Sequence, residues 1–231
     1  MKLLAFETAT EACSVALWLD GEVRERFELA PRRHAELSLP WAEQLLAEAG
    51  IRKSQLDAIA VGRGPGAFTG VRLAIALAQG IALALDRPVV PVSTLAVLAM
   101  QSPGERILAA IDARMGEVYW AAFAREDEQL RALTRESVGA ATTVVLPEDD
   151  GGWQGVGTGF AAGEHALSRH LGERVAAVDA TALPHAADVA RLAAQAFARG
   201  ETVTAEHLEP AYLRDNVALT LAEQQALRAA R

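Results

Sequence analysis

The sequence predicts an α/β protein built from two similar halves. Each half opens with a continuous apolar run followed by an acid and a short polar turn: residues 3–6 precede Glu7, and residues 107–111 precede Asp112. Two further strand-like segments come next in both halves, and helical segments follow them. The chain has 231 residues, more than the commonest single-domain size, so two fused halves also fit its length.

The first half is predicted to contain three strands and then alternating helices and strands. A helix over about residues 35–49 ends at Gly50, and its Pro40 either makes the first turn irregular or marks where the regular helix begins. The other segments are strands over residues 3–6, 13–19 and 23–29, a strand over 56–61, a glycine-rich stretch over 62–70, a buried apolar helix over 71–85, a strand over 89–92, and a short helix through Met100 that Ser93 or Thr94 caps.

The second half repeats this pattern less regularly. Strands are predicted over residues 106–111, 118–124 and 130–136, a buried strand end over 155–159, helices over 161–171 and 186–199, and a helical tail from Leu219. We therefore expect one lobe over residues 1–103 and a second over residues 104–231. This is the layout of a duplicated ribonuclease-H-like unit, the two-lobed actin/hexokinase-like ATPase architecture, and the inference rests partly on analogy.

Composition and charge exclude several classes of protein. Lys and Arg number 22 against 30 Asp and Glu, a net charge of −8, whereas proteins that bind nucleic acid unaided usually have a basic surface. If the protein serves RNA chemistry, we expect a partner to hold most of the RNA. The single Cys13 cannot form an internal disulfide or a cysteine metal cluster. We expect a cytoplasmic protein with no membrane segment, because the start lacks a secretory signal pattern and residues 71–85 are too few for a span.

The glycine-rich stretch carries the most specific motif. Alone, it favours a tight turn with Thr69 capping the next helix, and it lacks the spacing of a P-loop or a dinucleotide fingerprint. With its flanks, however, GPGAFTGVR at residues 64–72 resembles the signature of the bacterial TsaB family. DARMGEVY at residues 112–119 and PAYLR at residues 210–214 resemble two further motifs of that family.

The resemblance implies both a fold and a role. TsaB proteins are noncatalytic relatives of the threonylcarbamoyltransferase TsaD, with an ATPase-like two-lobed fold. Their pathway attaches threonylcarbamoyl to the adenosine beside the anticodon of tRNAs that read codons beginning with A. The partners implied are TsaD, the ATPase subunit TsaE in the same complex, a second copy of the chain when TsaD is missing, and tRNA only indirectly.

Residues at the catalytic positions favour a noncatalytic copy. TsaD has a His-x-x-x-His metal pair after the strand that follows the glycine-loop helix, and here Thr94 and Leu98 occupy those positions. Neither side chain can replace an imidazole as a metal ligand. The five histidines offer no substitute pair, and Cys13 lies in an apolar strand. We therefore expect no catalytic residue, no metal and no cofactor.

The two acid-containing turns also depart from a working phosphate site. Glu7 to Glu11 contains no glycine and adds a second acid that would repel phosphate. Asp112 is equally consistent with turn formation or capping. We expect weak or no nucleotide hydrolysis. A small-molecule kinase or metallopeptidase of the same superfamily remains the alternative, and a tRNA-binding module is a second rival that the acidic charge disfavours.

Two helices are predicted to supply the partner surface. In the helix over residues 35–49, one apolar stripe can pack on the sheet, and a second stripe that contains a tryptophan lies on the opposite side. In the glycine-loop helix, small and polar residues interrupt an otherwise buried pattern. In TsaB proteins these two helices bind TsaD or a second copy. The predicted interface residues are Leu37, Trp41, Leu45, Arg72, Ala76 and Gln79.

Overall fold

The computed structural model describes residues 1–127, 129–147 and 151–214. The predicted helical tail from Leu219 lies outside them. The first half forms β1 (Lys2–Glu7), β2 (Ala12–Leu19), β3 (Glu22–Leu29), α1 (His34–Glu48), β4 (Ala58–Gly62), α2 (Phe68–Leu85), β5 (Val89–Val92) and α3 (Thr94–Ala99). The second half forms β6 (Arg106–Arg114), β7 (Glu117–Glu126), β8 (Gln129–Ala132), β9 (Ser137–Ala140), β10 (Trp153–Val156), α4 (Ala162–Leu171), β11 (Val175–Asp179) and α5 (Ala186–Ala198).

The two sheets have the same topology. The first has the order β3-β2-β1-β4-β5, in which β1, β2 and β3 are antiparallel and β4 and β5 run parallel to β1. The second has the equivalent order β8-β7-β6-β10-β11 with the same directions, and β9 adds a second antiparallel partner to β7. Glu7 and Asp112 lie near the ends of the equivalent strands β1 and β6. The predicted duplicated, actin/hexokinase-like ATPase fold is therefore confirmed.

The helices cross between the two halves. Helices α1 and α2 pack on one face of the first sheet, and α5 covers the other face although it comes from the second half of the sequence. Conversely, Leu95 and Leu98 of α3 pack with Ile107 of the second sheet. The predicted boundary between residues 103 and 104 separates the strands of the two sheets but not these helices. The division into lobes over 1–103 and 104–231 stays a prediction.

Several local predictions were wrong, and one was confirmed. Helix α2 begins at Phe68 with Ala67 as its N-cap residue, so Thr69 lies within the first turn and does not cap it. Helix α1 runs through Pro40 without interruption. The predicted strand over residues 130–136 ends at Ala132, and neither β9 nor β11 was predicted. The Oγ of Ser93 accepts a hydrogen bond from Ala96 N at 3.2 Å, which confirms it as the cap of α3.

A polar cluster fastens the start of α5 to the first sheet. The imidazole of His185 stacks on Phe27, with ring centroids 4.0 Å apart, and its Nδ1 lies 3.0 Å from Glu25 Oε2. Glu25 also accepts hydrogen bonds from Ser14 Oγ and Ala187 N. Burial alone would raise the pKa of Glu25, but these hydrogen bonds lower it below its ordinary value. The hydrogen bond to Glu25 raises the pKa of His185.

Replacing Glu25 by Gln should destabilise the protein most in mildly acidic solution. Ionised Glu25 contributes stability that is lost as pH falls through its lowered pKa, and protonated His185 contributes stability that is lost as pH rises through its raised pKa. The ion pair is therefore fully present between about pH 5 and 6.5. We expect the variant to lose about 1 kcal/mol more at pH 6 than at pH 9 in urea unfolding, because the pair is partly buried. Glu22→Gln, an exposed change on the same strand, should show an equal effect at both pH values.

Candidate functional site

The three sequence motifs meet at a cavity of about 780 Å³ between the two lobes. The cavity lies between the turn that follows β1 and the turn that follows β6, and the segment over residues 210–214 lines it from a third side. In that segment, Ala211 N donates to Arg63 O in the glycine-rich stretch at 2.8 Å. Arg214 donates to Ala113 O at 3.2 Å and forms an ion pair with Glu117. The C-terminal motif therefore connects both lobes across the cavity.

The turn after β1 is filled by the glycine-rich stretch. Thr8 Oγ1 donates to Gly70 O at 2.7 Å, and Ala67 N donates to Ala9 O at 2.7 Å. A Cβ on Gly70 would lie 1.9 Å from Thr8 O, so only glycine permits this approach. A phosphate would need free backbone N–H groups at this turn. Here Ala9 O faces the glycine-rich stretch, and Ala9 N donates to the Glu7 carboxylate of the same turn at 2.8 Å.

Glu7 is a buried residue that holds this packing together. Its Oε1 accepts from Ala9 N at 2.8 Å, and its Oε2 accepts from Thr94 Oγ1 at 3.0 Å, while Thr94 Oγ1 accepts from Gly64 N at 3.2 Å. The carboxylate lies where a Cβ on Gly62 would be. Burial raises the pKa of Glu7 from 4.5 to about 7, against the lowering effect of its hydrogen bonds. Of the two acids in this turn, only Glu11 lines the cavity.

The two residues that were predicted to replace a metal-binding histidine pair lie in the core. Thr94 and Leu98 are both fully buried, and the Thr94 hydroxyl is engaged with Glu7. No group of three or more potential metal ligands occurs among the described residues. In the described part of the chain, no two of the five histidines bond to each other. Each ring bonds instead to another group of the protein: His34 to Thr10 O, His165 to Phe160 O, His170 to Val144 O, His185 to Glu25 and His207 to Thr204.

The side chains of Asp112 and Cys13 also make contacts that support the fold. Asp112 Oδ1 accepts from Arg114 N at 2.8 Å, and its Oδ2 pairs with the Arg114 guanidinium at 3.0 Å, which is the turn-forming role that the sequence allowed. Cys13 is buried 3.6 Å from Ser38 Oγ, and burial raises the pKa of its thiol. A raised pKa disfavours the thiolate that a nucleophile needs.

This geometry agrees with what the chain resembles among known proteins. The family model described as tRNA N6-adenosine threonylcarbamoyltransferase, TsaD, matches residues 28–221. The tRNA threonylcarbamoyladenosine biosynthesis protein TsaB of Escherichia coli (strain K12) is 44% identical over 94% of this chain and 96% of its own length. The chain belongs to the TsaB family. The TsaB of Haemophilus influenzae is 38% identical over 94% of this chain and 95% of its own.

A solved structure supports the same assignment. YeaZ from Pseudomonas aeruginosa is 48% identical, with a TM-score of 0.86 over 92% of this chain and 99% of that one. This TsaB-family chain is thus matched over nearly its whole described length. The family is one of tRNA threonylcarbamoyladenosine biosynthesis and is related to TsaD.

Helix α2 of this TsaB-family chain presents a large exposed apolar face. Its 18 residues have a mean hydropathy of 1.7, so by length and composition alone it could cross a membrane. Only 33% of these residues are buried within the structure. Val71, Ala74 and Ala78 pack in the core, and Ala76 and Leu83 are exposed. The prediction of a buried helix was therefore wrong for one side of α2.

The structure separates the predicted interface residues into different environments. Leu45 is fully buried in the core, and its assignment to an outer face was wrong because α1 packs with Ser38, Ala42, Leu45 and Leu46 inward. Leu37 and Trp41 are half-buried, and Trp41 packs against the same core.

The predicted residues of α2 also differ from one another. Gln79 donates to Ala205 O at 3.0 Å and to Leu208 O at 3.2 Å, so it binds a later segment of its own chain. Arg72 faces the interlobe cavity, whereas Ala76 is exposed as expected. Two apolar residues that were not predicted to lie at the surface, Leu39 and Phe68, are 45% and 68% exposed. Phe68 could have been recognised as a candidate surface residue, because it is an apolar residue at the first position of a long apolar helix.

Proposed function

We propose that the protein is a noncatalytic subunit of the machinery that forms threonylcarbamoyladenosine in tRNA and that it acts by binding TsaD. The observation that carries this proposal is the exposed apolar face of α2, and α1 also exposes Leu39. Contiguous apolar surface on a water-soluble fold marks a binding site. Relationship to TsaD, together with TsaB relatives that match the chain from end to end, supports TsaD as the occupant.

The remaining partners follow from the same proposal. Without TsaD, two copies of the chain pair through the same face. The complex also includes TsaE, and tRNA reaches it mainly through TsaD, because the chain itself has a net charge of −8. The complex works in the cytoplasm on tRNAs that read codons beginning with A, at the adenosine next to the anticodon.

Features of the interlobe site support a noncatalytic role over the kinase and metallopeptidase alternatives. In the turn after β1, the backbone N–H of Ala9 donates to the carboxylate of Glu7 and is not free to bind a phosphate. Thr94 and Leu98 fill the positions of the metal-binding histidines. The subunit therefore positions or activates TsaD, which carries out the transfer.

Replacing Ala76 by Glu should prevent the complex with TsaD while the chain stays folded. Ala76 is exposed on α2, so the free protein tolerates the charge, but the same carboxylate would be buried unpaired in the complex. We expect the dissociation constant to rise at least about 100-fold, which corresponds to about 3 kcal/mol. Ala76 is a better site than Trp41, because Trp41 also packs against the core.

The measurement is light scattering of the mixture after size exclusion, with circular dichroism to verify folding. Ala177→Glu, an equal change at an exposed position of β11, is the matched control and should bind TsaD as the unmodified chain does. If Ala76→Glu still forms a complex of unchanged mass with TsaD, then α2 is not part of the interface.

A further inference from the structure

Two exposed aromatic rings stand at the mouth of the interlobe cavity. Phe68 is 68% exposed and Tyr212 is 62% exposed, and both line the cavity. The guanidinium of Arg72 joins them: its carbon lies 3.3 Å from the Phe68 ring centroid and 5.0 Å from that of Tyr212, and its NH2 donates to the Tyr212 hydroxyl at 2.8 Å. The guanidinium thus lies over one face of the Phe68 ring and close to the Tyr212 ring, while both rings stay largely exposed. We call Phe68, Arg72 and Tyr212 the stacking cluster.

The cavity is basic although the protein is acidic. Its lining contains four arginines, Arg32, Arg72, Arg114 and Arg214, against two acidic side chains, Glu11 and Asp112; Arg214 is paired with Glu117, which is not part of the lining. The Arg114 side chain is 86% exposed even while it pairs with Asp112. The charge of the cavity lining is therefore opposite in sign to the net charge of the chain, which is −8. It attracts an anion to the position where the aromatic rings are exposed.

We propose that the stacking cluster and the cavity arginines bind unpaired nucleotides of the tRNA when the chain is bound to TsaD; this inference rests on the proposed function. Aromatic and guanidinium planes stack on bases that are not paired, and arginines contact the phosphates between them. The hydroxyl-bearing side chains of Tyr119 and Thr158 line the same cavity and suit base edges or ribose. A free nucleotide is less well served, since the backbone N–H of Ala9 in the turn after β1 already donates to Glu7. The acidic net charge makes this an added contact and not an independent binding site.

The test compares tRNA binding by complexes of TsaD with variant chains. Tyr212→Ala should weaken binding about tenfold, because it removes one stacking plane. Tyr212→Phe keeps the plane and should retain affinity within about twofold. Arg114→Ala should lower the salt dependence of binding by about one unit of slope. Arg199→Ala removes a cation that lines a different groove and should change neither quantity. Fluorescence anisotropy of labelled tRNA over a salt series gives both values.

The outcomes separate this inference from the proposed function. Light scattering first shows whether each variant forms the complex; if the unmodified chain does not bind TsaD, the proposed function itself fails. If the complexes form and Tyr212→Ala binds tRNA as tightly as the unmodified chain, the RNA contact is wrong. Loss of the complex with Tyr212→Ala would instead make the cluster a protein contact and overturn the inference. Displacement of tRNA from the unmodified complex by free adenosine monophosphate would overturn it in favour of a free-nucleotide site.

Discussion

Replacing Gly70 by Ala should lower the free energy of unfolding by about 3 kcal/mol, because overpacking at a rigid contact is costly. The new Cβ would lie 1.9 Å from Thr8 O, a distance that side-chain atoms do not reach without movement of the backbone. Thr8 cannot move away freely, because its Oγ1 donates to Gly70 O at 2.7 Å and joins the same two segments. Relief of the clash would therefore separate the turn after β1 from helix α2.

Gly80→Ala is the matched control on the same helix. No atom lies within 4 Å of a Cβ built there, and Ala is favoured over Gly in a helix by about 1 kcal/mol. The control should be as stable as the unmodified chain or more so. Urea unfolding followed by circular dichroism measures both variants. Equal midpoints for the two would show that the Gly70 contact does not constrain the fold.

Much of the fold could be predicted from the sequence, because the decisive signals are local. Apolar runs followed by Glu7 and Asp112 mark the first strand of each sheet, and the repeat of that pattern predicts the duplicated topology. Strand β11 carries this signal only weakly: residues 175–178 form a four-residue apolar run before Asp179, but two of the four are alanine, which is depleted in strands. The crossing of α3 and α5 between halves depends on packing between distant segments, and no local pattern records it.

The site was predicted in part, for a similar reason. Motif resemblance singled out the glycine-rich stretch, the Asp112 turn and residues 210–214, but that all three surround one cavity is shown only by the structure. Helical periodicity shows which residues share a side of a helix but not which side meets the sheet. Leu45 was therefore placed on the outer side although it is fully buried, and Leu39, which is 45% exposed, was not among the predicted surface residues. Gln79 bonds to carbonyls 126 and 129 residues away, which spacing on α2 cannot indicate.

Replacing Glu7 by Gln should remove a pH-dependent loss of stability. Burial raises the pKa of Glu7 from 4.5 to about 7 in the folded chain. Between these pH values the unfolded chain releases the proton and the folded chain keeps it, so stability falls as pH rises through this range and levels off above it. A raised pKa of this size corresponds to about 3 kcal/mol. Gln resembles the protonated acid in shape and charge, and its amide can bond to Ala9 N and the Thr94 hydroxyl.

The free energy of unfolding of both proteins, measured by urea titration from pH 4.5 to 8, tests this expectation. Groups common to both proteins, His185 included, cancel in the difference. We expect the stability of the unmodified chain relative to Glu7→Gln to fall by about 3 kcal/mol across this range. Glu11→Gln changes an exposed acid in the same turn and should reproduce the unmodified profile. If the stability difference between the two proteins stays constant with pH, Glu7 keeps an ordinary carboxyl pKa in the folded chain. Water would then have to reach the Glu7 carboxylate within its buried network with Thr94 and Gly64.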